Sequence, residues 1–158
     1  MSDAVPMTRD GYNKIKAEID QKENVEMPLI AERIAAAREE GDLKENQEYH
    51  GQRENQGRLF AKINMLKDQL ARSIIVDMSN IDTSKVSFGV TVVVRDVEFD
   101  EEETFALVGA GEEDYNTGKI LVTSPVGQGL LGKSVGDICD IQIPKGTMQY
   151  EILDIRID

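Results

Sequence analysis

Apolar side chains in the second quarter of the chain step by four, three and four, through Leu59, Ile63, Leu66 and Leu70. That spacing lines one face of a helix and matches a coiled-coil seam. Read backwards, the same register passes through Gln56 and Gln52 to Tyr49. The seam is therefore apolar near residue 70 and polar near residue 50. Upstream, Tyr12, Ile15 and Ile19 recur at helical spacing, and Ile30, Ile34 and Ala37 resume it after ENVEMPL. Thr8 suits an N-cap, and Asp10 suits the positive first turn. Pro28 lacks an amide donor and crowds the preceding turn, which predicts a kink or brief break within one arm. Gly41 is a natural stop. Two such arms joined near residues 40–44 predict an antiparallel hairpin. At 1.5 Å per residue, arms of about 25 to 30 residues run roughly 40 Å.

From Ile74 onward the period changes to two and β-branched residues take over. Strands are expected at 74–77, 86–95, 104–109, 119–123, 137–143 and 148–157. FDEEE, GAGEEDYNTG and PKGT read as turns, with Pro144 and Gly146 bracketing a hairpin. SPVGQGLLGKSVGD, residues 124–137, reads as a short helix in a glycine-rich connection. The fold class is α+β. Residues 1–77 form a coiled-coil hairpin with an acidic tip near 40–48, and residues 78–158 form a small, mostly antiparallel β-sheet domain.

Charge changes this picture in one respect. The net charge of the whole chain is −12, which argues against a general nucleic-acid binder. Residues 1–79 carry 12 Lys and Arg against 15 Asp and Glu, net −3, whereas residues 80–158 carry 6 against 15, net −9. Residues 51–72 alone hold Arg53, Arg58, Lys62, Lys67 and Arg72 against Glu54 and Asp68, net +3. Screening over roughly 10 Å leaves that local basic segment to act on its own surroundings. Aromatics make up only 5% and Trp is absent, so no broad base-stacking surface is expected. A single cysteine, Cys139, in an apolar run favours a reducing compartment. MSDAVPMTRD lacks the pattern of a signal peptide, and no run nears the roughly 18 apolar residues of a membrane span. A cytoplasmic monomer without membrane contact is expected.

The candidate chemistry lies in GDLKENQEYH, residues 41–50, which puts Asp42 and Glu45 three apart where the chain turns back. Asp at an N-cap with Glu three later is the pattern of a capping box, a reading that needs no function. Capping requires one acid, however, and Glu39, Glu40 and Glu48 add further charge that repels itself until a cation or partner arrives. The other reading is metal chemistry. Mg²⁺ takes oxygen ligands, keeps several waters, and is held by one or two carboxylates plus phosphate oxygens. Two carboxylates are too few for a closed site, so the remainder is expected from a partner and no cofactor is expected in the free protein. No nucleophile beside a base and no phosphate-binding glycine loop is legible. His50, the sole histidine, reads as a hydrogen-bonded helix residue rather than a general base.

GD-L-x-E-N-x-E-Y-H, taken with PMTRDGYNKI at 6–15, VSFGVTV at 86–92 and SPVGQGLLGK at 124–133, resembles the Gre family of bacterial transcript cleavage factors, and its A type in particular. The likeness covers essentially the whole chain. It implies a hairpin that enters the secondary channel of bacterial RNA polymerase and an FKBP-like second domain that docks at the channel rim. It also implies that Asp42 and Glu45 are the catalytic tip acids, sharing Mg²⁺ with the polymerase so that the 3′ end of a backtracked nascent RNA is cut away. On this carry-over the chain is an accessory factor and not itself an enzyme. Asn46, Glu48 and Tyr49 fall on the tip motif, shaping the turn or touching the channel. Arg53 falls where the family carries a base that faces the displaced RNA; an exposed helix charge paired with Glu54 or its neighbours is the plain alternative. Ser124 and Pro125 fall on the rim-docking region, which a purely structural loop would also explain. An FKBP-like fold does not imply prolyl isomerase activity, because function resides in sites. Two rivals stand beside this reading: a channel-binding regulator that occludes the polymerase without stimulating cleavage, and a non-catalytic coiled-coil interaction module. The intact acidic tip speaks against the first, and its charge against the second.

Overall fold

The computed structural model describes residues 4–41 and 46–158. The first helix, α1 (Arg9–Gln21), starts where Thr8 caps it, with Thr8 Oγ1 accepting from the Gly11 amide at 3.0 Å. A five-residue π turn (Lys22–Glu26) leads directly into α2 (Met27–Arg38). Pro28 accounts for that turn. It has no amide for the carbonyl four residues back, and its ring crowds the same carbonyl. Widening the helix relieves the crowding: the Met27 amide donates to the Lys22 carbonyl, five residues back, while Gln21 and Met27 keep right-handed helical dihedrals. The chain therefore stays helical from Arg9 to Arg38, without the break that proline alone would impose.

The return helix, α3 (Gln47–Ala71), has 25 residues. It runs antiparallel to the first arm, since Lys67 pairs with Glu23 at 2.8 Å while Asn46 reaches the Ala37 carbonyl. Burial follows the seam read from the sequence. Ile63 and Leu66 are buried, as are Ile15, Ile19, Ile34 and Ala37 on the opposite arm. Tyr49, Gln52, Gln56 and Leu59 are half-buried, as is Leu70 at the other end, so α3 is most deeply covered at Ile63 and Leu66 between them.

Contacts divide the chain into two units, one holding Tyr12–Ser73 and the other Val5–Gly11 with Ile74–Asp158. Residues 5–11 and 74–77, grouped with the hairpin in the division at 77, thus pack with the β-rich unit. The cause is a strand too short to read in advance: β1 (Val5–Met7) pairs with β2 (Ser73–Ile75), and the Val76 amide donates to the Met7 carbonyl at 2.9 Å. Gly109 makes room for this strand, because a Cβ there would stand 2.8 Å from Met7 Cα.

Five strands form the main sheet: β3 (Thr91–Asp96), β4 (Glu101–Val108), β5 (Lys119–Leu121), β6 (Ile138–Ile143) and β7 (Gly146–Arg156), in the order β5-β4-β3-β7-β6. Three pairings are antiparallel and β4 with β5 is parallel, so the sheet is mixed. The expected strand at 86–95 begins only at Thr91. Gly89 takes a left-handed backbone (φ 89) that no ladder accommodates, although Val86 and Val90 are still buried. Conversely, β4 begins at Glu101, inside a stretch read as a turn. The helix α4 (Pro125–Leu130) covers one face of the sheet: Leu130 is fully buried, and a Cβ on Gly129 would meet Ile141 Cγ1 at 2.7 Å. Val92, Val94, Leu107, Ile141 and Ile152 complete this core. Among the described residues no helix is long and apolar enough to cross a membrane.

Tyr150 on β7 is buried, sets its ring edge against Phe105, and donates its hydroxyl to Glu103 at 3.1 Å. Burial raises its phenol well above the ordinary 10.0, and the Glu103 carboxylate pushes in the same direction. A folded-state pKa that is raised gives stability that is complete below the unfolded value and lost as pH climbs through the folded one. The urea midpoint should therefore fall as pH rises past about 10. Tyr150→Phe should flatten that alkaline slope, as followed by circular dichroism; an unchanged slope would assign it to other groups.

Candidate functional site

Asp42 and Glu45 lie outside the described residues. The frame on either side of them is described, and it is built around one amide side chain. Asn46 adopts extended dihedrals (φ −83, ψ 95) as the N-cap of α3, and its Oδ1 accepts from the Tyr49 amide at 3.0 Å. Its Nδ2 donates to the Ala37 carbonyl at the end of α2. One residue thus satisfies an orphan amide of the starting helix and adds a donor to the Ala37 carbonyl, which also accepts from the Glu40 amide at 3.2 Å. The capping-box reading, with Asp42 as the N-cap, is not how α3 begins. Asn caps as well as Asp does, and the seam register already places Tyr49 on a formed helix, so the signal for Asn46 was present in the sequence.

Tyr49 is held from two sides. The Arg38 guanidinium stacks over its ring, 5.6 Å from the centroid, and His50 meets it edge-on at 5.4 Å. Arg38 was absent from the residues singled out by sequence, and it forms the second link between the two helices at this end. Glu48 is exposed in the first turn of α3, where a negative charge suits the helix dipole, and accepts from Gln52 Nε2 at 3.0 Å. The Oε1 atom of Gln52 is buried with no partner among the described residues. Arg53 is exposed and donates to Gln56 Oε1 at 3.5 Å, while Glu54 pairs instead with Arg58 at 3.4 Å. The guanidinium of Arg53 is therefore only weakly engaged within its own helix.

Ser124 and Pro125 belong to the β-rich unit. Ser124 is half-buried: its hydroxyl donates to the Leu121 carbonyl at 2.6 Å and accepts from the Gly127 amide at 3.1 Å, capping α4. Pro125 occupies the first helical turn and is exposed. Of the two, Ser124 has a structural task and Pro125 offers its ring to solvent. Among the described residues no three His, Cys, Asp or Glu side chains gather to hold a metal ion.

Two outcomes follow from this geometry. Asn46→Ala should destabilise the hairpin by about 1–2 kcal/mol, and Asn46→Asp should recover part of that by keeping the acceptor for Tyr49 while losing the donor to Ala37; thermal unfolding followed at the helical band reads both. Gln52→Leu should stabilise the hairpin by roughly 1 kcal/mol, because it replaces an unpaired buried oxygen with seam-filling carbon. A fall in melting temperature would show that the oxygen is satisfied in solution.

A family model described as "Transcription elongation factor, N-terminal" matches residues 5–75, and one described as "Transcription elongation factor, GreA/GreB, C-term" matches residues 81–157. The chain is 46% identical over 158 residues, all of both chains, to transcription elongation factor GreA of Thermodesulfovibrio yellowstonii. It is 44% identical over 158 residues, 99% of each, to transcription elongation factor GreA of Chloroherpeton thalassium. A solved structure of the transcription factor Gfh1 shares the fold, with a TM-score of 0.50 and 23% identity over 98% of this chain and 99% of that one. The chain belongs to the GreA/GreB family of transcription elongation factors.

Proposed function

We propose that this chain acts on bacterial RNA polymerase, entering its secondary channel with the hairpin tip and stimulating the polymerase's own cleavage of backtracked RNA. Family membership across both units supports the reading, and one observation carries it to the tip. Asn46 caps α3 and ties it to α2, so the helix does not need the carboxylates of Asp42 and Glu45 for its start. That leaves both carboxylates for a partner.

In this role Asp42 and Glu45 supply anionic oxygen donors, the ligand type that a hard divalent cation prefers. Mg²⁺ held by these carboxylates jointly with the polymerase would supply a lowered pKa for water and stabilisation of charge on the leaving oxygen. Arg53, exposed and weakly engaged, faces the phosphates of the displaced RNA 3′ end, while Asn46, Glu48 and Tyr49 hold the form of the tip. Pro125, beside Ser124, meets the rim of the channel. The chain thereby completes the polymerase's site as an accessory factor and turns over nothing alone.

The test is RNA cleavage in purified backtracked elongation complexes with Mg²⁺. The unaltered chain should accelerate cleavage, and Asp42→Asn or Glu45→Gln should lower that acceleration on the order of a hundredfold, while both variants still compete with the unaltered chain for polymerase. If the unaltered chain binds and leaves the cleavage rate where it was, an occluding regulator is the correct description.

A further inference from the structure

We propose that the β-rich unit carries a second interaction surface, at the end of the sheet formed by the β3–β4 turn and the β6–β7 hairpin, and that it takes a basic polypeptide segment presenting an apolar side chain. This end is opposite the one that holds Ser124. Strand β5 leaves the sheet at Leu121, opposite Val108, whereas Asp96 pairs with Glu101 and Tyr150, and Ile143 pairs with Gly146, at the other end.

A groove of about 270 Å³ lies there, lined by Asp96, Glu98, Phe99, Ile143, Lys145 and Met148 among others. Its apolar floor comes from Ile143 and Met148, both half-buried, and Phe99 stands at its side with 66% of its surface exposed. The turn that presents Phe99 is firmly built. Asp96 is buried, and its Oδ1 accepts from the amides of Glu98 at 2.9 Å and Phe99 at 3.2 Å. Asp100 closes the turn in a left-handed conformation (φ 54), a strained backbone for a residue with a side chain. Arg95 fixes it from beneath, donating to Asp100 and to Glu151 at 3.0 Å each. A well-tied turn that holds a phenyl ring in water gains no apolar burial from it inside this chain. It is pre-organised for an outside contact.

Charge selects the partner. Two of the six carboxylates in DVEFDEEE, residues 96–103, line the groove, Asp96 and Glu98, and the other four stand on the adjoining turn and strand. Arg95 is already engaged by two acids, and Lys145 is the one cation among the described residues that line the groove. Such a rim repels nucleic acid. It attracts lysine and arginine, while the groove accepts one apolar side chain between them.

The full chain is titrated by amide NMR with a capped five-residue peptide of four arginines around a central leucine, and separately with its counterpart carrying glutamates in place of the arginines. The cationic peptide should give saturable shifts confined to residues 96–100 and 143–148, and the acidic one none. Phe99→Ser should weaken binding about tenfold, the scale of one aromatic contact. Lys145→Glu should tighten it roughly threefold, as one added surface charge does. Both positions are exposed, and unmoved core resonances show that the variants fold. Absence of saturable binding at millimolar peptide would overturn the proposal. Equal binding of the acidic peptide, shifts spread over the acidic face without dependence on Phe99, or capture of a single-stranded RNA oligonucleotide at this groove would overturn it as well.

Discussion

Pairing of α2 with α3 along one fading apolar seam is the constraint on which the hairpin depends. A helix of 25 residues with polar stretches is marginal alone in water. It stands because Ile63 and Leu66 are buried toward its C-terminal end, where Lys67 meets Glu23, and because Ile34 and Ala37 of α2 are buried nearer the tip, where Asn46 meets Ala37. Toward the tip the same register supplies Gln56 and Gln52, which cannot close the seam by apolar burial. A polar device takes over there: Asn46 bridges Ala37 and Tyr49, and Arg38 stacks on the Tyr49 ring. The end of the hairpin nearest the tip acids is thus held by the buried Ile34 and Ala37 on α2 together with these hydrogen bonds and one cation–π contact. Such contacts can be exchanged for those of a partner at little net cost.

Much of this was legible because period is the strongest signal a sequence carries. The step from Leu59 to Leu70, and its polar extension to Tyr49, picks out the covered face of α3: Ile63 and Leu66 are buried and the other positions on it half-buried. The β-rich half was legible in kind but not in its edges. Val86 and Val90 alternate like strand residues and are buried like them, yet Gly89 bends the backbone out of any ladder. The opposite error occurs at Glu101–Glu103, where three consecutive acids read as a turn but pair with Asp96, Arg95 and Val94. β1 escaped notice because three residues containing a proline carry too little pattern, and only their pairing with β2 makes them a strand. The exchange of α for π hydrogen bonding before Pro28 is likewise a three-dimensional answer to a clash that sequence can locate but not resolve.

The site was legible in a different way. Nothing in periodicity marks Asp42 or Glu45; they stand out as paired carboxylates in a long, specific motif. Asn46 was marked by the motif as shaping the turn, whereas Arg38 was not singled out, because its role depends on two helix ends meeting. Ser124 shows the reverse, since a residue marked for contact spends its hydroxyl on capping α4, whereas its neighbour Pro125 is exposed. Charge divides the labour between the units. The basic stretch of α3 suits a nucleic-acid end held in a partner, whereas the acidic β-rich unit suits polypeptide.

Amide hydrogen exchange along α3, with and without bacterial RNA polymerase, tests the central claim most directly. In the free chain, protection should be highest around residues 63–70 and decline toward residues 49–56, following the seam from apolar to polar. Polymerase should raise protection at residues 46–56 and leave residues 63–70 nearly unchanged. Uniform protection along the free helix would contradict the fading seam. A gain confined to the apolar end would place the partner at the wrong part of the hairpin.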